Sequence, residues 1–342
     1  MLTLEAKDLI FQPANQPFAS CHASHLAVLP NGDVLAAWFA GSKEGAGDVA
    51  IWGSRLHDGR WTEPRVLADE PGLPHWNPVF HLNGSGDLLL YYKVGHLIKQ
   101  WYTRVMVSKD GGHSWSEPAE LVPGDRGGRG PVRNKLLVLA DGTWLAPAST
   151  EDGIWQAVVD ISRDQGRTWS TSSWVRIEEL NYNEISKVTG SPIPVSEQSF
   201  VGRGVIQPAL WESAPDQVHM LLRSSEGSIY RSDSTDGGRT WSDAYATSLP
   251  NNNSGIDVAR LDDGTLVLAY NPVGVNWGVR TPLVLSVSRD NGNSWSEAFV
   301  LEEGEGEFSY PAIMAKGSRL YLTYTWNRES IVFCQLVVNE CK

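Results

Sequence analysis

The chain has 342 residues, 41% of them hydrophobic, which is enough to bury a substantial core and excludes a disordered chain. A net charge of −12 argues against general nucleic-acid binding. The three cysteines, Cys21, Cys334 and Cys341, lie near the two ends and form neither a disulfide framework nor a metal motif, so no metal and no organic cofactor is expected.

From the first residues onward the elements are short and alternate in hydrophobicity. The opening octapeptide, Met1 to Asp8, carries acidic residues and no apolar stretch of the signal-peptide kind, and no run of about 18 apolar residues follows, so a cytoplasmic location without membrane contact is expected. His25–Leu29 leads into Asn31-Gly32, then Val34–Phe39, then Val49–Trp52. The Asn-Gly pair supplies the positive φ of a hairpin turn. Asn83-Gly84-Ser85-Gly86, Asp141-Gly142, Asp263-Gly264 and Lys316-Gly317 hold the same place in later units.

Each unit closes on an eight-residue box, Ser-x-Asp-x-Gly-x-x-Trp. It stands at Ser108–Trp115, Ser162–Trp169, Ser234–Trp241 and Ser288–Trp295, with a worn copy from Ser54 that keeps Asp58, Gly59 and Trp61. The box is read as a structural turn: Asp accepts backbone N–H groups, Gly takes positive φ and Trp packs between sheets. About four strands per unit of about fifty residues, with no helical periodicity, predict an all-β, six-bladed β-propeller forming one domain over 1–342. The sixth blade runs from about Glu307 and is expected to close with Leu9-Ile10-Phe11. The longer spacing between Trp169 and Ser234 marks an insertion, in which Ile177–Asn183 and Ile193–Ser196 are expected to extend the fourth blade.

In a propeller the inner strands start, and the second strands end, at one mouth of the central channel. Counting from the boxes brings His22, Asn77, Arg133, Gln207, Asn253 and Tyr310 there from strand starts. Trp38, Lys93, Glu151, Arg223, Asn271 and Arg328 come from strand ends, with Asp48 and Arg280 beside them. The set is rich in cations within an acidic chain.

The boxes and the blade pattern resemble the sialidase (neuraminidase) superfamily, within it the BNR or Asp-box sialidase-like branch, over nearly the whole chain. That resemblance implies three arginines on a substrate carboxylate, an Asp acid, and a Tyr nucleophile paired with a Glu. Met220–Ser224 resembles the strand of the second arginine (Arg223), and Val279–Leu283 that of the third (Arg280). Phe308–Pro311 resembles the nucleophile segment (Tyr310), and Gly47–Ile51 the acid segment (Asp48). Two places depart: Cys21-His22-Ala23-Ser24 stands where the first arginine would be, and Gln207 where the tyrosine's glutamate would be. An amide accepts no proton, so His22 is a candidate replacement base and Glu151 a second acid/base candidate. Gln207, Arg133, Lys93 and Asn77 are candidates for substrate binding.

Three readings stay open. One is an exo-glycosidase acting on a terminal carboxylated sugar, sialic, ulosonic or uronic. Another is a lyase that cleaves uronic acids by β-elimination. The third is a glycan-binding propeller without catalysis. All three expect an anionic carbohydrate as partner, and none fixes the oligomeric state.

Overall fold

The computed structural model describes residues 2–180 and 202–339. The described strands form five sheets in a β-propeller arrangement. The first holds Ser20–Val28, Val34–Gly41 and Ala50–His57, with short outer strands Arg60–Trp61 and Arg65–Ala68. The second runs from His75–Leu82 through Leu88–Val94 and Tyr102–Ser108 to Ala119–Glu120. Another runs from Asp257–Arg260 through Leu266–Tyr270 and Leu283–Ser288 to Phe299–Glu302.

The last sheet joins the two chain ends. Leu2–Leu9 pairs antiparallel with Ser330–Val338, which continues through Arg319–Trp326 to Phe308–Lys316. The closing strand thus lies mostly ahead of the expected Leu9–Phe11, and Ile10 adds one bond to the Ile331 carbonyl at 2.8 Å.

Six separate sheets are not what the pairing records. Four sheets stand alone, and the remaining strands join in one eight-stranded sheet. The cause is a parallel contact in which Ile154 and Trp155 pair with Arg203 and Gly204, so that Ile154–Ser162 is hydrogen-bonded to Arg203–Ala214. Of the expected insertion, Ile177 is buried among the third core cluster and Val175 bridges Ala157; Asn181–Asn183 and Ile193–Ser196 lie outside the described residues.

Apolar residues of adjacent sheets interdigitate between them. Leu35 and Ile51 of the first sheet share a cluster with Phe80 and Leu90 of the second, each such buried side chain contributing about 1.5–3 kcal/mol. The boxes dock at this seam. A Cβ on Gly112 would sit 2.7 Å from Leu35 of the preceding sheet, and its φ of +88° also favours glycine. The worn copy has become a plain hairpin at Asp58-Gly59, with φ of 48° and 73°.

The inner strands share an irregularity that positions the functional residues. Their register slips between His22 and His25, Trp76 and Val79, Ile206 and Ala209, and Ser309 and Ala312. At or near each inner-strand start one residue takes positive φ: Ala23 (53°), Asn77 (45°), Arg133 (71°), Gln207 (53°), Asn253 (62°) and Tyr310 (54°). A bulge of this kind re-aims a side chain. Five of these are residues that the sequence count brings to the mouth; in the first sheet the left-handed residue is Ala23, next to the counted His22.

Candidate active site at the channel mouth

Tyr310 is the centre of the arrangement. It opens the last inner strand, and the guanidiniums of Arg133, Arg223 and Arg280 lie 5.1, 5.4 and 5.2 Å from its ring centroid. Arg223 Nη1 donates to the phenol oxygen at 2.6 Å and to Gln207 Oε1 at 3.2 Å. Gln207 Nε2 in turn donates to Glu151 Oε1 at 3.2 Å. A continuous chain therefore links Tyr310, Arg223, Gln207 and Glu151, four residues from three inner regions of the chain. Arg223 is held in place by Asn253, whose Oδ1 accepts from Nε at 3.1 Å and whose carbonyl accepts from Nη2.

Glu151 answers the departure at Gln207. Burial pushes its carboxyl above the ordinary carboxylate range, against the opposing pull of Arg223 and the Gln207 amide. A carboxylate is therefore kept near Tyr310, one side chain further out than the resemblance implies, and disposed to hold a proton.

His22 answers the departure at the first arginine only in part. Its ring lies 4.1 Å from that of Tyr310, tilted 47°. Its Nδ1 meets Thr325 Oγ1 at 2.9 Å, while Nε2 is buried with no partner among the described residues. Burial first, then Arg328, Arg280, Arg133 and Arg223, hold its pKa well below the ordinary value, so the imidazole is neutral. A neutral ring can exchange a proton, but it is no cation for a carboxylate.

Arg328 adds a further cation beside His22. Sequence counting placed it at the mouth but gave it no role. Its carbonyl accepts from Cys21 N at 2.8 Å, which sets its backbone against the strand that carries His22. Its Nε donates to Glu307 at 3.1 Å and Nη1 to Glu44 Oε2 at 2.5 Å. Glu307 Oε1 also accepts from Arg280 at 2.7 Å and from Ser309 Oγ at 2.9 Å, so one carboxylate orients both arginines. Glu44 and Glu307 lie far apart in sequence, so no local signal marked this group.

Other expected residues are placed differently. Lys93 is fully buried and its ammonium donates to the carbonyls of Gly128 (2.8 Å), Arg129 (2.7 Å) and Gly130 (3.3 Å). Burial pulls its pKa down to about 7, with Asp160 opposing. Its donors are thus turned into the 128–130 loop. Arg133 is 1% exposed and bonded to Asn134 Oδ1 and the carbonyls of Ile256 and Pro311, so it supports Tyr310 from beneath. Asn77 is buried at its positive-φ position in the second sheet. Asp48 is exposed in the loop after Val34–Gly41, where its carboxylate accepts from Ser42 N at 3.0 Å and Ser42 Oγ at 2.8 Å. That loop reaches the arginines through Glu44. Among the described residues no cluster of three or more His, Cys, Asp or Glu could hold a metal ion.

Comparison with known proteins follows the same lines. Residues 32–322 match the family of BNR repeat-like domains. A 205-residue segment is 27% identical to an exo-alpha-sialidase of Aspergillus fumigatus, covering 51% of this chain and only about half, 49%, of that protein. Among solved structures, a protein of unknown function from Dyadobacter fermentans superposes with a TM-score of 0.77 at 17% identity, over 99% of both chains. A Hadza microbial sialidase gives 0.75 at 15% identity, over 96% of this chain and 68% of that one. The NanB sialidase of Streptococcus pneumoniae gives 0.67 at 14%, over 96% and 70%. At these identities the structural likeness is one of fold.

Proposed function

Since this chain belongs to the family of BNR repeat-like domains, we propose that it is a sialidase-like exo-glycosidase acting on a terminal carboxylated sugar. The observation that carries this reading is the convergence of Arg223, Arg280 and Arg328 about Tyr310 and His22. Guanidinium forks match a carboxylate in bidentate fashion, and three of them select an anionic sugar over a neutral one. The sugar carboxylate lies on the arginines, which presents its anomeric carbon to Tyr310. A neutral phenol avoids the repulsion that a carboxylate nucleophile would meet there. Tyr310 Oη bonds to the anomeric carbon while its proton passes to His22, whose neutral ring lies 4.1 Å from that of the phenol; the C–O bond to the leaving group breaks and Asp48 gives its proton to the departing oxygen. Negative charge developing on Tyr310 faces the Arg223 guanidinium at 2.6 Å. Glu151 takes a proton from the water that attacks the anomeric carbon, the bond from that carbon to Tyr310 breaks, and the phenol recovers its proton from His22.

The blade count that goes with this reading is six, with the eight-stranded sheet taken as two blades spliced at Ile154–Trp155. The six positive-φ positions at inner-strand starts support that count.

The test is Tyr310→Phe assayed on sialic, ulosonic and uronic glycosides. Turnover is expected to fall about 10²–10⁴-fold on the true substrate; undiminished turnover on every one sinks the assignment. The neutral, unpartnered Nε2 of His22 favours one second reading, β-elimination from a uronic acid with His22 as base. An ultraviolet-absorbing 4,5-unsaturated product distinguishes it from hydrolysis.

A further inference from the structure

Away from the channel mouth, three side chains stand in the relation of nucleophile, base and orienting acid. Ser213 Oγ lies 2.7 Å from His219 Nε2, and His219 Nδ1 lies 2.5 Å from Asp233 Oδ1. The acid is fixed from two further sides, by Arg231 Nε at 2.9 Å and by Tyr245 OH donating to Oδ2 at 2.7 Å. These bonds, against the opposing effect of burial, hold Asp233 down to about 2, so it is ionised. An ionised carboxylate on Nδ1 keeps the proton there and turns the Nε2 lone pair toward the serine. Arg231 Nη2 also lies 3.1 Å from Nδ1, while its Nε donates to the same Asp233 oxygen that faces Nδ1. The imidazole face is clamped by Trp211, stacked at 5.1 Å and 28°.

The internal repeat accounts for part of this cluster and not for the rest. In the first sheet Arg55 bonds Asp33 at 2.7 Å and reaches the Gly111 carbonyl of the next box. Arg231 does the same with Asp233 and with the Asn291 carbonyl at 2.8 Å. These are ties between neighbouring sheets. His57 even meets Asp33 at 2.7 Å, as His219 meets Asp233, but the other nitrogen of His57 faces Asp58 at 3.4 Å. A serine on the free nitrogen is what the later sheet adds. Ser213 occupies the bulge between Glu212 and Ala214, beside the exposed turn of Ala214, Pro215 and Asp216. Asn291 Nδ2 stands 3.1 Å from His219 Nε2, its amide oriented by Trp211 Nε1 donating to Oδ1 at 2.7 Å. An amide nitrogen only donates, so this contact marks Nε2 as the acceptor nitrogen of the ring.

We propose that Ser213 is the nucleophile of a second, esterolytic site that accepts short acyl esters. The approach over an exposed turn suits a small acyl group. Ser213 Oγ bonds to the acyl carbon while its proton passes to His219 Nε2. The ester C–O bond then breaks and the alcohol leaves with that proton. Water, deprotonated by the same nitrogen, attacks the acyl-serine; the carboxylic acid departs and Ser213 recovers its proton. Asp233 acts through His219 as a positioning residue.

The experiment is labelling of the full chain with a fluorophosphonate, followed by peptide mass spectrometry, together with hydrolysis of p-nitrophenyl acetate. A phosphonyl adduct on Ser213 is expected, with its rate lowered at least about 10³-fold in His219→Asn. The Ser213→Ala variant is expected to lose ester hydrolysis by the same factor. Asp233→Asn is expected to shift the pH profile of labelling as well as slow it, which a merely structural tie would not do. Absence of adduct on Ser213 in the unmodified chain overturns the proposal, as does an equal labelling rate in a folded His219→Asn protein. The adduct reads Ser213 alone, so its failure is separate from any failure of glycoside turnover at the channel mouth.

Discussion

The four boxes and the six inner-strand starts both repeat, but they repeat different things. In every box the same chemistry returns. Asp110, Asp164, Asp236 and Asp290 each accept a serine hydroxyl from two residues back at 2.7–2.8 Å and a backbone N–H from four residues on at 2.9 Å. At the inner starts only the backbone returns: φ is positive each time, while the side chain is Ala, Asn, Arg, Gln, Asn or Tyr. A position whose chemistry is constant around the ring serves the ring. A position with fixed geometry and changing chemistry converges different groups on one point, which is what a site requires.

That contrast can be broken or sharpened by experiment. The largest effect is expected at Glu151→Gln, which keeps the bond to Gln207 within reach but removes the titrating group; kcat falls about 10²-fold or more. Because burial raises the Glu151 carboxyl, its charged form appears only above the usual range, and the acid-side limb of the pH profile is expected to vanish in the variant. Steady-state kinetics from pH 4 to 8 checks both.

Arg328→Met is expected to raise KM about 10–100-fold for an anionic glycoside, through loss of one charge-assisted contact. An unchanged KM would return Arg328 to a purely structural pairing with Glu44 and Glu307. Smaller still, Asp110→Ala is expected to lower Tm by a few degrees, about 2–4 °C, with kcat/KM within about twofold. Calorimetry and activity on the same sample separate the two. If kcat/KM collapses while Tm holds, the boxes are not merely structural.

The smallest effect is a gentle acid slope. All four box aspartates are held below their ordinary value: Asp110, Asp164 and Asp290 first by the hydroxyl or N–H of Ser114, Thr168 and Ser294, and Asp236 by Thr240 against burial. A depressed folded pKa stabilises fully above the unfolded value, and that contribution fades as pH falls toward the folded one. Tm is therefore expected to decline between about pH 4 and pH 2.

Much of the fold was legible because the boxes act as rulers in sequence. The turn glycines Gly32, Gly86, Gly142, Gly264 and Gly317 all carry positive φ where the hairpins were expected. The parallel splice at Ile154–Trp155 was not legible, since two hydrogen-bonded residue pairs leave no periodic trace. Counting from a box placed Tyr310, Arg223 and Gln207 at the channel mouth, where hydrogen bonds link them. Arg328 was counted to the mouth, but its role depends on Glu44, nearly three hundred residues away, and no local pattern encodes that pairing. Lys93 was misleading for a related reason: the carbonyls that receive it belong to a loop with no strand to count from.

The shared last sheet has a consequence in time. Leu2 pairs with Val338, so Leu2–Leu9 has no partner in this sheet until Ser330–Val338 has been made. Such a ring is dominated at its seam by contacts of the longest sequence separation, which slows its final step. During synthesis the sheets can stack one upon the next as an open arc, and closure waits for Ser330–Val338. Cutting a new pair of termini in the exposed turn at Asn83–Gly86, with the old ends joined by a linker, would move the seam without altering a single residue at the channel mouth.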